Sequence, residues 1–233
     1  MQRKVNRRDF LKASVTAGTV MAAGGLLFEA RTMAYAAESQ SVQLPKARIS
    51  EGGNAALMLL EKRSSSREFS SQPLPAAVLA NLLWAAFGIS RPDGKRTAPS
   101  ARNRQEIDIY VARPDGLYLY DAKANMLQLI LGEDIRGLTG TQDYVRQAAV
   151  NLVYVADTSK MDKMPPVEMA LWMGADTGVI VENVYLFCAA EGLITVVRAL
   201  IDRPALAKAM KLHPDQQITL AQSVGYRAVI SGK

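Results

Sequence analysis

Two arginines bracket three hydroxyl side chains in Lys62-Arg63-Ser64-Ser65-Ser66-Arg67-Glu68-Phe69. A phosphate monoester needs guanidinium forks for its charge and hydroxyls or backbone N–H groups for its oxygens, so this spacing suits a phosphate site. Each charge-assisted bond contributes about 1.5–3 kcal/mol, which would let Arg63, Ser65 and Arg67 supply much of a tight affinity. Taken alone, the segment reads equally well as a solvated Ser/Arg loop. A second polar stretch, Arg96-Thr97-Ala98-Pro99-Ser100-Ala101-Arg102-Asn103-Arg104-Gln105, leads directly into a strand pattern. A loop on a rigid element can present amides to a heteroaromatic ring.

The absences narrow the chemistry further. One cysteine and one histidine exclude a zinc site of the usual Cys/His kind, and any Ser-His-Asp relay would have to use His213. His213 lies in Lys211-Leu212-His213-Pro214-Asp215, a turn after a helical stretch, and reads as a surface residue. Cys188, within Tyr185-Leu186-Phe187-Cys188-Ala189-Ala190, reads as core and has no partner for an intramolecular disulfide. An enzyme of this composition takes its chemistry from an organic cofactor, with no catalytic side chain and no metal.

Elements that could position these residues follow from periodicity. Asn54 to Lys62 forms an apolar-faced helix, and a second follows Pro75 with Val78, Leu79, Leu82, Leu83 and Ala86 at helical spacing, ending at Gly88. Residues 107–111, 117–120 and 126–131 read as strands, with Pro114-Asp115-Gly116 as a hairpin turn. Asn151 to Ala156 is a buried strand. Val167 to Leu193 is a helix of about 25 residues, or about 37 Å, too interrupted by acidic residues to span a membrane. Gly174 and Gly178 within it would allow close approach of another helix. A strand over 194–200, a helix from Pro204 to Met210 and a strand from Gln217 to Tyr226 complete the chain. The class is α+β, with a central, mainly antiparallel sheet flanked by helices.

The N-terminus carries Asn6-Arg7-Arg8-Asp9-Phe10-Leu11-Lys12, then a short Gly/Ala-rich apolar run to Phe28 and Ala34-Tyr35-Ala36. Residues 1–36 read as a twin-arginine signal peptide, 37–51 as an extended lead-in, and 52–233 as one domain. Such leaders address folded proteins to an export machinery, which predicts a periplasmic destination and a cofactor inserted before export. Six basic and two acidic residues fall in the leader, so the net charge of +6 drops to +2 without it. Net charge therefore supports neither a nucleic-acid nor a membrane-surface function.

Arg63-x-Ser65-x-Arg67-x-Phe69, Pro73-Leu74, Leu83-Trp84-Ala85-Ala86-Phe87-Gly88 and Pro99-Ser100-x-x-Asn103-x-Gln105 occur in an order that resembles the FMN-dependent nitroreductase family. Gln147-Ala148-Ala149-Val150, Asn183-Val184-Tyr185-Leu186, Glu191-Gly192-Leu193 and Val224-Gly225-Tyr226 extend the resemblance over nearly all of residues 52–227. The most similar branch contains oxidases that aromatise thiazoline and oxazoline rings in peptides. The resemblance implies a homodimer with FMN at the subunit interface and the long helix at the dimer core. It assigns Arg63, Ser64, Ser65 and Arg67 to the phosphate and ribityl chain, and Pro99, Ser100 and Asn103 to a loop beside the partner's flavin ring. Gln142 would face the pyrimidine edge, and Arg227 would replace the basic residues that relatives carry beyond Val-Gly-Tyr. Where members have Pro-x-Glu-Gly, this chain has Val197-Arg198-Ala199-Leu200, so a ring contact there must come from backbone groups or from Arg198.

The activity so implied is hydride transfer between flavin N5 and a small or peptide-derived substrate, in either the oxidase/dehydrogenase or the reductase direction. Outside the cytoplasm NADH and NADPH are scarce, so a quinone or a redox protein is the expected electron partner. A flavin-binding or electron-carrying module without turnover is the alternative.

Overall fold

A computed structural model describes residues 55–229. Residues 1–54, on which the expected leader (1–36), lead-in (37–51) and start of the first helix fall, and residues 230–233 lie outside the described residues. The α+β expectation holds: four helices and six strands alternate as α1 (Ala55–Lys62), α2 (Ala76–Phe87), β1 (Ile107–Arg113), β2 (Gly116–Asp121), β3 (Met126–Leu131), β4 (Val150–Asp157), α3 (Pro166–Glu191), β5 (Ile194–Arg198), α4 (Arg203–Ala209) and β6 (Gln216–Gly225). The strands form one sheet in the order β3-β2-β1-β4-β6-β5, and every neighbouring pair is antiparallel. The strand expected over 194–200 stops at Arg198, because Ala199 and Leu200 have no partner opposite them in β6.

Strand alternation sorts the core into two layers. Ile107, Ile109 and Val111 of β1, Leu152 and Tyr154 of β4 and Val224 of β6 face α2 and α3. Their neighbours Tyr110, Ala112, Val153, Val155, Ile218 and Ala221 face the opposite side, where Leu206 and Met210 from the α4 region cover them. Successive side chains of a strand point to opposite faces, so a central strand covered on both sides is apolar on both, as β4 is from Leu152 to Ala156; the buried Asn151 at its start is satisfied by hydrogen bonds.

Turn chemistry fixes the ends. Gly116 enters β2 with φ +149°, and an added Cβ there would collide with the Leu131 carbonyl oxygen of β3. Gly192 closes α3 in the left-handed conformation (φ +68°), its N–H bonded to the Cys188 carbonyl. The α3 helix buries Met173, Asp176, Thr177, Ile180, Val181, Val184, Tyr185 and Cys188. Its outer face leaves Val167, Leu171 and Val179 exposed, with open space beside Gly174 and Gly178. No helix among the described residues is long and apolar enough to cross a membrane.

Candidate functional site

The phosphate-type segment is held at the edge of the sheet. Arg63 still donates its N–H to the Leu59 carbonyl (2.9 Å), after which the chain runs extended. Ser66 N–H donates to Thr195 O of β5 (3.0 Å), Ser70 N–H to Tyr226 O (2.9 Å), and Ala228 N–H to Glu68 O (2.8 Å). The segment thereby covers the outer edge of β5, which would otherwise present unpaired backbone groups. Phe69 anchors it by packing into Ala148, Ile194 and Val196, with its ring 5.9 Å from that of Tyr144. With Phe69 turned inward, Ser64, Ser65 and Arg67 are left exposed and Arg63 half-buried.

Tyr185 of α3 organises the inner side of this segment. Its hydroxyl shares a 2.8 Å hydrogen bond with Ser65 Oγ and accepts the Val197 N–H of β5 at 3.0 Å. Arg63 lies over its ring, 5.3 Å from the centroid. Among the described residues no carboxylate pairs with Arg63 or Arg67. Arg227 does have one, Glu68, at 3.1 Å on the surface. A pair this exposed contributes about 0–1 kcal/mol, little enough for an incoming anion to displace.

Beyond the end of β5, the register puts Asn151 opposite Ser223 and Ser223 opposite Val196, so Arg198, two residues on from Val196, shares their face. Its guanidinium is buried and donates to Ser223 Oγ (2.6 Å), Thr139 Oγ1 (2.7 Å), Asn151 Oδ1 (3.0 Å) and the Thr139 carbonyl (3.3 Å). Burial lowers its pKa to about 10, which leaves it charged at neutral pH. Arg198 is thus committed to the interior, while Ala199 and Leu200 beyond it are exposed, with their carbonyls accepting from Arg203 NH1 (3.2 Å) and the Thr141 N–H (3.4 Å). Gln142 lies alongside, its Oε1 buried and without a hydrogen-bond donor among the described residues. Gly140 is packed so closely against Arg198 and Gln142 that a Cβ would collide with both.

Pro99, Ser100 and Asn103 lie elsewhere. Ser100 Oγ accepts the Gln105 N–H (2.9 Å) and Asn103 Oδ1 accepts from Gln105 Nε2 (3.0 Å). Arg96 ties the loop to α2 through Gln105 Oε1 (2.8 Å) and the Phe87 carbonyl (2.8 Å). Arg102, Asn103 and Gln105 all adopt positive φ (55°, 55° and 53°), a run that neighbouring contacts must hold in place. Ala101 N–H donates to Asp176 Oδ2 of α3 at 2.9 Å. Beside the loop opens a cleft of about 400 Å³, lined by Ala101, Arg102, Arg104, Glu168 and Trp172 among others.

Within one chain the two groups do not meet. Asp176, which receives the loop, and Tyr185, which receives Ser65, are separated by roughly two and a half turns of α3 and so face nearly opposite ways. Sequence reasoning had named Tyr185 only as part of a motif and had missed Asp176 and Glu106 as polar partners. The signal was present as an acid and a polar-tipped aromatic at buried positions on opposite sides of an apolar helix.

Comparison with known proteins bears on this arrangement. Residues 60–226 match the model of the nitroreductase family. The solved structure of a protein of Ralstonia eutropha JMP134 named as a nitroreductase is 42% identical, covering 80% of this chain and 89% of that one, with a TM-score of 0.72. At 16% identity, the E. coli microcin synthetase complex McbBCD with truncated pro-MccB17 bound shares the fold (TM-score 0.64, covering 98% of this chain and 85% of that chain). So does a nitroreductase-named protein of Desulfovibrio desulfuricans solved with FMN (22% identity, TM-score 0.56, covering 77% and 90%). The sheet order, the long helix and this match over most of the chain together place the protein in the nitroreductase family.

Proposed function

We propose that this protein is an FMN-dependent oxidoreductase whose cofactor lies between two copies of the chain. The observation that carries the reading is the exposed turn Arg63 to Arg67, which presents two guanidinium groups free of carboxylates together with the Ser64 and Ser65 hydroxyls. These groups fit a phosphate. Family membership supports FMN as its bearer, as does the FMN in the D. desulfuricans structure.

When bound, FMN supplies a hydride-accepting and hydride-donating N5, and the chain's residues act around it. Arg63 and Arg67 neutralise the phosphate, Ser64 and Ser65 fill its remaining acceptor positions, and Arg227 leaves Glu68 to join them. Tyr185 keeps Ser65 and Val197 in fixed relation, so the phosphate end and the β5 end of the site are positioned as one unit. The exposed Ala199 and Leu200 and the unpaired Oε1 of Gln142 would lie at the ring end, with Arg198 fixing that end from behind. Pro99, Ser100 and Asn103 serve the ring held by the partner, which accounts for their distance from Ser65 within one chain. The exposed Val167, Leu171 and Val179, with Gly174 and Gly178 between them, form the dimer face of α3. Residues 1–36 act as a twin-arginine leader for export of the loaded dimer to the periplasm. There the bound flavin would supply hydride transfer to or from a small or peptide-derived substrate, with a quinone or a redox protein as the matching electron acceptor or donor.

The test is to purify the protein, record its visible spectrum and identify the released chromophore. A yellow protein releasing FMN supports the reading, and a colourless protein that binds no added FMN overturns it. A flavin that no quinol, nicotinamide or candidate substrate reduces points instead to a non-catalytic flavin-binding module.

A further inference from the structure

Two carboxyl groups meet in the interior between the 96–105 loop and α3. Glu106, one residue before β1, is fully buried, and Asp176, in the middle of α3, is 7% exposed. The two side chains are within hydrogen-bonding reach of each other. Neither oxygen of Glu106 has a donor from another residue among the described residues, and its own backbone N–H is the one bond that favours the ionised form. Two ionised carboxylates in contact repel and leave both oxygens unpaired, whereas one proton between them turns the contact into a hydrogen bond. Burial first, and then the bond to Asp176 and its charge, push the Glu106 carboxyl up to about 7. Arg104 pulls the other way, but its NH2 is occupied by Asp162, which also holds Arg102, and its Nε and NH1 are buried without partners.

Asp176 also accepts the Ala101 N–H, the bond that ties the loop's strained centre to the helix. The carboxyl pair and the loop are therefore mechanically connected through one side chain. We propose that Glu106 and Asp176 are positioning residues, and that a proton carried by Glu106 and shared with Asp176 through a hydrogen bond latches the 99–103 loop onto α3. Loss of the proton leaves two buried negative charges side by side. Asp176 then swings towards water or Arg104, the Ala101 N–H is released, and the loop moves. The latch is a property of the chain alone; its effect on a flavin ring beside Pro99, Ser100 and Asn103 rests on the cofactor reading above.

Trp172 lines the same cleft as Ala101 and Arg102, and the chain contains just one other tryptophan, Trp84. In the full chain carrying Trp84→Phe, Trp172 fluorescence reports the loop without any cofactor. The expected result is a transition near neutral pH in a titration from about pH 5 to about pH 9, absent when Glu106→Gln is added, because the amide donates to Asp176 at every pH. Glu106 has a raised folded pKa, so the folded state binds its proton more tightly than the unfolded chain. Its contribution is full below the ordinary carboxylate pKa and is lost as pH rises through about 7. The melting temperature of the parent should therefore fall relative to Glu106→Gln over that window.

Ala101→Pro removes the loop's donor but leaves both carboxyls, and Ser100 (φ −135°, ψ 153°) already has the conformation that precedes proline. This variant should keep the pH-dependent melting and lose the Trp172 transition. Identical pH profiles for the parent and Glu106→Gln overturn the shared proton, and a Trp172 transition that survives Ala101→Pro overturns the latch. If Glu106→Gln does not fold, Asp176→Asn tests the latch from the other side: the buried Glu106 still titrates, but the amide donates to its ionised form, so the Trp172 transition is expected to disappear, and its persistence overturns the latch. A colourless protein that shows all of these effects overturns the cofactor reading and leaves the latch standing.

Discussion

The Tyr185 hydroxyl lies 2.8 Å from Ser65 Oγ while accepting the Val197 N–H at 3.0 Å, so one side chain of the central helix joins the arginine-flanked turn to the end of β5. A single phenol thus holds together two segments that the chain separates by most of its length. The phosphate end and the ring end of the proposed site move only as a pair.

Tyr185→Phe should break that link at a cost of about 1–3 kcal/mol, because the Val197 N–H loses its acceptor in a half-buried position. Thermal unfolding should show a melting temperature lower by roughly 2–4 °C per kcal/mol lost. FMN affinity should fall with it even though the tyrosine makes no phosphate contact. Unchanged stability and affinity would remove Tyr185 from the site.

Replacing Arg63 or Arg67 by Ala should weaken FMN binding by about 1.5–3 kcal/mol each, roughly ten- to a hundredfold. Quenching of FMN fluorescence during titration of the flavin-free protein measures this directly. Neither residue has a carboxylate partner among the described residues, so the folded state should lose little stability. Arg227→Ala should have the smallest effect of the three, since its gain in binding is offset by giving up Glu68.

Gly178→Leu should split the proposed dimer and leave the monomer folded, because nothing lies within 4 Å of a Cβ at that position. Gly174→Ala, at a similarly open position, should stabilise the helix by up to about 1 kcal/mol through helix propensity. Sedimentation or light scattering distinguishes the states. An unchanged mass for Gly178→Leu would move the dimer contact away from this face.

Arg198→Lys should destabilise the protein by at least about 1.5–3 kcal/mol, since a point ammonium cannot serve Thr139, Asn151 and Ser223 at once. Urea unfolding checks it: a midpoint within error of the parent would show that these bonds are individually weak.

Gly116→Ala should cost about 1–3 kcal/mol, because φ +149° is open to glycine and the new methyl would meet the Leu131 carbonyl oxygen. Hydrogen exchange should show the loss concentrated in the β2–β3 pairing.

Much of the architecture was legible in the chain because it is local. Alternation in 107–111, the apolar run 151–156 and the capped 26-residue helix each reflect forces acting within a few residues, and each element lies within one to three residues of its expected limits. The arginine–serine segment stands out in the sequence for the same reason: the groups that suit a phosphate fall within five consecutive residues. Arg198 does not. The family resemblance left a ring contact there to backbone groups or to Arg198, whereas the register of β4, β5 and β6 supplied Asn151 and Ser223 and drew the Arg198 side chain inward.

Residue types and spacing determined the fold class, and the ordered motifs pointed to the nitroreductase family. Tertiary structure alone decided that Ser65 meets Tyr185 across 120 residues, and that Ala101 meets Asp176 across 75 beside a buried Glu106. Contacts at such separations depend on strand register and on the rotation of α3 against the sheet. Those are set by packing of the whole core, which no short stretch of sequence encodes.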